Sequence, residues 1–238
     1  MGTKVGPNLV KSGLALYLDA GAPTSYSGSG TSWYDLSGNN NHFTLYNSPT
    51  FNSLYGGELR FDGTNDYARN RNNTVINNIA ANGTMEIWFR TYDNSLGSIS
   101  YSRLISVSND AGTGSDSTST QGSDTDYATF FTLARNNLNN YFSLWYKNNP
   151  GGFGGTATYV DDIYRQLIFS WSTSGANMTF THYINGINQV STAYTTSAYS
   201  SAQHITIGMN CYGAISNTNQ TTKACLLYTS DAADDTPC

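Results

Sequence analysis

Charge is scarce in this sequence. Of 238 residues only 11% are Asp, Glu, Lys or Arg, too few for a coiled coil or for a chain held open by self-repulsion. Glutamate is nearly missing, with Glu58 and Glu86 the only two. Basic residues number eleven against sixteen acidic ones. No positive surface awaits a phosphate backbone, so nucleic acid is not an expected partner. No apolar run approaches the length of a membrane span, and membrane insertion is not expected either. The opening Met1-Gly2-Thr3-Lys4-Val5-Gly6-Pro7-Asn8 lacks the charged-then-apolar pattern of a signal peptide. The three cysteines, Cys211, Cys225 and Cys238, provide neither a disulfide framework nor zinc-ligand spacing.

The last residues stand apart. Cys225-Leu226-Leu227-Tyr228-Thr229-Ser230-Asp231-Ala232-Ala233-Asp234-Asp235 resembles a translated sequencing adaptor, with Thr236-Pro237-Cys238 following from an index. Residues 225–238 are therefore read as an adaptor-derived tail and kept out of the fold reasoning. Without the three tail aspartates the formal charge falls from −5 to −2, and Cys211 is the one thiol left. Such a tail implies an environmental assembly and a domain cut short.

What the sequence does have is tyrosine and glycine, eighteen and twenty-three, with abundant Ser, Thr and Asn. That composition favours strands and turns. Short apolar runs alternate with Gly/Asn/Ser turns throughout. Strands are expected at 13–19, 59–62, 84–90, 103–107, 127–133, 141–147, 165–171, 178–184 and 204–207. In 84–90, Met85, Ile87 and Phe89 share one face, and Glu86, Trp88 and Arg90 the other. Ile184-Asn185-Gly186-Ile187 reads as a hairpin with a type I′ turn. Residues 72–81 carry the one helical hint, and 110–126 form a long Gly/Ser/Thr/Asp loop. The expected organisation is a lead-in over 1–12, one antiparallel sandwich over 13–224, and the tail.

Trp33-Tyr34-Asp35-Leu36-Ser37-Gly38-Asn39-Asn40-Asn41-His42, followed by Gly57-Glu58-Leu59-Arg60-Phe61-Asp62-Gly63-Thr64-Asn65-Asp66-Tyr67, resembles the LamG-like jelly-roll domains of the concanavalin A-like lectin/glucanase superfamily. Tyr183-Ile184-Asn185-Gly186 and His204-Ile205-Thr206-Ile207-Gly208 are similar to later motifs of that family. The resemblance runs from about Leu14 to Met209. It implies an all-β fold: an antiparallel β-sandwich, a concanavalin A-like jelly roll, here lacking its final strand. Asn40 and Phe43 stand where the family often has glycine, so this loop is expected to close differently. A missing last strand would leave backbone groups near 14–19 exposed.

The chemistry is sparse. A retaining glycosidase on this fold needs two carboxyl groups astride the scissile bond, and neither Glu58 nor Glu86 sits in the Glu-x-Asp motif that laminarinase-type relatives carry. Asp161 and Asp162 read as a solvated turn. His42, His182 and His204 lie in no hydrolase motif, and His182 shares parity with Phe180 and Ile184, as a packed histidine does. No enzyme is expected. Asp35, Asn39, Asp62 and Asp66 are candidate metal ligands, since Asx-rich turns offer hard oxygens to Ca²⁺ and some LamG-like relatives use a loop calcium. The competing reading makes Asp35 and Asp62 acceptors of local backbone N–H groups.

Sugar recognition wants aromatic faces beside a few oriented polar groups. Trp88 with Glu86 and Arg90, Trp145 at the parity of Lys147, and Tyr183 at that of Thr181 are the candidate ligand-binding residues. The alternative places tryptophan in the core, for at least one of Trp88 and Trp171. Tyr92, Tyr101, Tyr127 and Tyr159 are candidate loop residues. The resemblance implies a non-catalytic recognition module for glycan or another surface ligand, within a larger surface or virion protein. Two alternatives stay open: a structural or adhesive phage module contacting a host or neighbouring subunit without sugar specificity, and an accessory domain of a glycoside hydrolase.

Overall fold

A computed structural model describes residues 12–62, 65–70, 82–90, 101–108, 129–136, 141–146, 163–175, 177–195 and 204–208. The expected helix over 72–81, the loop over 110–126, Asp161 and Asp162, Tyr92, Tyr127 and Tyr159, Cys211 and the tail lie outside them.

Among the described residues the structure is built from strands, with a single 3₁₀ turn at Leu54–Gly56. In chain order they are β1 (Ser32–Trp33), β2 (Phe43–Tyr46), β3 (Thr50–Asn52), β4 (Glu58–Arg60), β5 (Tyr67–Asn70), β6 (Asn82–Phe89) and β7 (Tyr101–Ser108). There follow β8 (Thr129–Asn136), β9 (Tyr141–Tyr146), β10 (Arg165–Ser174), β11 (Asn177–Ile184), β12 (Ile187–Thr195) and β13 (His204–Ile207). They form a seven-stranded sheet ordered β1-β2-β5-β13-β7-β8-β9, a four-stranded sheet ordered β12-β11-β10-β6, and the two-stranded β3-β4. Every pairing is antiparallel.

The two large sheets share one core. Met85, Ile87, Phe89, Leu167, Phe169, Trp171, Met178 and Phe180 come from the four-stranded sheet. They join Phe43, Leu45, Ala68, Ile105, Val107, Ile205 and Ile207 from the seven-stranded one. This is the period-two pattern of a sandwich: inward residues are mostly apolar and outward ones mostly polar. Each fully buried Leu, Ile or Phe contributes about 1.5–3 kcal/mol, so the alternation itself fixes register. Phe169 stacks on Phe180 at 5.5 Å between ring centroids. His182, on the inward face beside Phe180 and Ile184, is a packed histidine, and burial lowers its pKa below the usual 6.5.

The β11–β12 connection turns on Asn185 (φ 51°) and Gly186 (φ 76°), both left-handed, as the I′ reading requires. One expected strand is different. Leu14, Leu16 and Leu18 are buried, yet residues 13–19 join no ladder. Side chains of the β1–β2 loop replace a neighbouring strand. Tyr17 N donates to Asp35 Oδ1 (2.9 Å), while Ala15 O accepts from Asn41 Nδ2 (2.9 Å). β1, β2, β3, β5 and β12 lie outside the expected strands, β12 being the second arm of the expected Ile184–Ile187 hairpin.

Candidate functional site

The outward faces of the two sheets differ in part among the described residues. On the seven-stranded sheet Ser32 and Thr44 are exposed and Tyr46 is half-exposed, whereas Tyr67, Arg69 and Thr206, of the same outward parity, are buried, Arg69 at 8% exposure and Thr206 at 0%. Arg69 lies over the Tyr67 ring at 5.1 Å, and Tyr67 stacks on Tyr46 at 4.4 Å. On the four-stranded sheet the outward residues Thr84, Glu86, Gln166, Ile168, Ser170, Thr181 and Tyr183 are half-exposed, and Trp88 is 37% exposed. This second face is open.

Trp88 is exposed but held. Its indole Nε1–H donates to Glu86 Oε1 at 2.8 Å, and Gln166 Nε2 donates to the same oxygen at 2.8 Å. The register explains why these meet: Trp88 pairs with Gln166, and Glu86 pairs with Ile168, across β6 and β10. Ile168 in turn pairs with Tyr183 on β11. One transverse row therefore reads Glu86, Ile168, Tyr183, and the next begins Trp88, Gln166. A large aromatic surface thus faces solvent with its rotamer fixed by a neighbouring carboxylate. Trp171, by contrast, is buried in the core.

Of the five candidate ligand residues, Trp88, Glu86 and Tyr183 share this face. Arg90 does not. It has the parity of Glu86 and Trp88, but it lies just past the end of β6 and is buried at 4% exposure. Its guanidinium is drawn inward by Glu58, which is 0% exposed. Arg90 Nη2 donates to Glu58 Oε1 and Oε2, both at 2.9 Å. Tyr164 Oη also donates to Glu58, as do Arg60 Nε and Asn52 Nδ2, the last at 2.7 Å. Arg90 packs over the Tyr164 ring at 4.9 Å. A desolvated carboxylate needs such a donor set to remain charged. Strand parity fails at Arg90 because pairing a buried charge outweighs the alternation. Trp145 belongs to the other sheet, on β9, in register with Thr132 of β8. Gln166, which braces Glu86, carried no signal in the sequence beyond its outward parity.

The candidate metal ligands fall into two turns. Asp35 is already saturated. Oδ1 accepts from Tyr17 N (2.9 Å) and Ser37 N (2.8 Å), and Oδ2 from Asn41 N (2.9 Å) and Ser37 Oγ (2.7 Å). Asn39 spends its Nδ2 on Leu14 O at 2.8 Å. A cation there would face N–H donors, so this turn does not fit calcium. In the second turn Asp62 Oδ1 accepts from Asn65 N (3.2 Å) and Asp66 N (3.4 Å), while Asp66 Oδ2 accepts from Asp62 N (3.0 Å). Burial, reinforced by the Asp62 charge, pushes Asp66 up to about 6 against the opposing backbone hydrogen bond. No cluster of three or more His, Cys, Asp or Glu suited to a metal occurs among the described residues. Both turns hold Asx acceptors of local backbone N–H groups. Asn40 takes φ 58°, a left-handed conformation that asparagine tolerates. Phe43 opens β2 and fills the core.

No family model matches the sequence, and no curated protein matches it. Solved structures do share its fold. The botulinum neurotoxin serotype D binding domain superposes with a TM-score of 0.61 at 13% identity, covering 93% of this chain and 48% of that chain. The chain therefore spans about half the length of the toxin binding domains it matches. The conserved carbohydrate esterase of Shiga toxin-encoding bacteriophage phi24B gives 0.50 at 14% identity, over 92% of this chain and 96% of that one. The exoplasmic/lumenal domain of VIP36, in its Ca²⁺/Man-bound form, gives 0.50 at 11% identity, over 94% of both. The fold is an all-β antiparallel sandwich with lectin-like structural neighbours. Recognition domains populate it, alongside a protein described as an esterase.

Proposed function

We propose that the chain is a non-catalytic recognition module that binds glycan through the open face of its four-stranded sheet, within a larger surface or virion protein. One observation carries the reading: Trp88 is exposed, and its indole is locked by Glu86 and Gln166. A pre-ordered aromatic face offers apolar contact to a sugar ring without a further entropic cost of ordering. Fold neighbours named as binding domains support recognition in general. The phage origin of one neighbour and the LamG-like motifs support the larger context. The non-catalytic reading rests on the glutamates. Glu58 is enclosed by its donors and Glu86 stands on the open face, so the two do not form an acid–nucleophile pair.

A glycan array probed with the purified chain, with and without EDTA, tests this. Binding is expected in both conditions and should fall at least tenfold in Trp88→Ala, about 1.4 kcal/mol. EDTA-sensitive binding would restore calcium to the site. No binder in either condition would favour the structural phage module. Polysaccharide hydrolysis that vanished in Glu86→Gln would overturn the non-catalytic reading.

A further inference from the structure

We infer that the open face takes an uncharged, extended glycan chain lying diagonally from Trp88 to Tyr183, rather than a single terminal sugar or an acidic one. This rests on the glycan reading above and specifies its ligand.

Length follows from register. Trp88 and Tyr183 are two strands apart and one row out of step. Two steps between strands and two residues along them put their Cα atoms about 12 Å apart. One sugar ring that sits flat on Trp88 does not reach Tyr183. Gln166 and Ile168 bridge the interval, both half-exposed with the same outward parity. The face is therefore continuous between its two aromatic ends, and several linked sugars are needed to cover it.

Charge follows from composition. Glu86 is the one charged side chain among the described outward residues of β6, β10 and β11. Its Oε1 takes both internal hydrogen bonds, and no other hydrogen bond to Glu86 occurs among the described residues. Oε2 remains as a charged acceptor beside the Trp88 ring, matched to sugar hydroxyls as donors. A carboxylated or sulfated sugar at the same place would meet like charge with no described cation on the face to offset it.

The test is calorimetric titration of the full chain with manno- and cello-oligosaccharides of one to six units, and with oligogalacturonides of the same lengths. Affinity for at least one neutral series should rise tenfold or more with length and then level off. The acidic series should bind at least tenfold more weakly. Tyr183→Ala should cut hexasaccharide affinity more than disaccharide affinity, while Tyr183→Phe keeps the length dependence. Glu86→Gln should weaken neutral ligands and narrow the gap to acidic ones. Thermal melts establish that each variant is folded. Equal affinity for one and six units, or acidic binding as tight as neutral, would overturn this inference and leave the glycan reading standing. Neutral-sugar binding unchanged in Trp88→Ala, or no binding in any series, would remove both.

Discussion

Replacing Glu58 by glutamine tests the energetics of the buried ion cluster directly. The substitution keeps the side-chain shape and removes the charge that Arg90, Arg60 and Tyr164 surround. Arg90 is nearly as buried as Glu58, at 4% and 0% exposure, so water cannot replace the lost partner. Removing one member of a buried pair costs about 3–5 kcal/mol because the other charge is stranded. Arg60 is 38% exposed, so its share is the small one of a solvated pair, under about 1 kcal/mol. Glutamine still accepts one hydrogen bond, which places the expected loss near the lower bound, about 3 kcal/mol. For a chain of this size each kcal/mol shifts the melting temperature by about 2–4 °C, so a fall of roughly 6–12 °C should follow. Urea unfolding followed by tryptophan fluorescence measures the free energy. The double variant Glu58→Gln/Arg90→Met should recover part of the loss, since it removes the stranded cation as well. A single-variant loss under about 1 kcal/mol, or strictly additive variants, would refute the account of a desolvated pair.

Other expectations follow from the same geometry. Asp66 is raised from 3.8 to about 6 in the folded state, so its contribution to stability is full below pH 3.8 and is lost as pH rises through about 6. Asp66→Asn should remove that decline in urea titrations at several pH values, and an unchanged slope would contradict it. His182 has the opposite sign. Its folded pKa lies below 6.5 because burial opposes the charge, so stability is held above pH 6.5 and lost as the pH falls below it. Histidine NMR titration reads this directly, and a His182 that titrates above 6.5 would contradict the burial argument. Gly57, at φ 111°, would place a Cβ 2.5 Å from Gly21 Cα. Gly57→Ala should therefore destabilise by more than about 1 kcal/mol through both strain and collision. Asn40→Val should cost about 1–2 kcal/mol while Asn40→Gly is tolerated, since only the left-handed conformation at that position distinguishes them.

Much of the sandwich was legible in residue order. Met85, Ile87 and Phe89 alternate with outward residues, and Phe180, His182 and Ile184 do the same. Period-two burial is a local property of a strand, so sequence alone reveals it. Asn185-Gly186 likewise announced its turn, because few residues tolerate positive φ at both positions. The open face was legible in part. Trp88 and Glu86 share parity two residues apart, and Tyr183 has matching parity on its own strand. Which strands lie side by side is not a local property. β10 brings Gln166 against Trp88 and Ile168 against Tyr183, while Trp145, equally promising in sequence, went to the other sheet. Arg90 shows the limit most clearly. Its parity pointed outward, and only tertiary structure brought Glu58 from the small β3-β4 sheet to meet it. The free energy of pairing a desolvated charge depends on a partner 32 residues away, and no pattern confined to one strand contains that term.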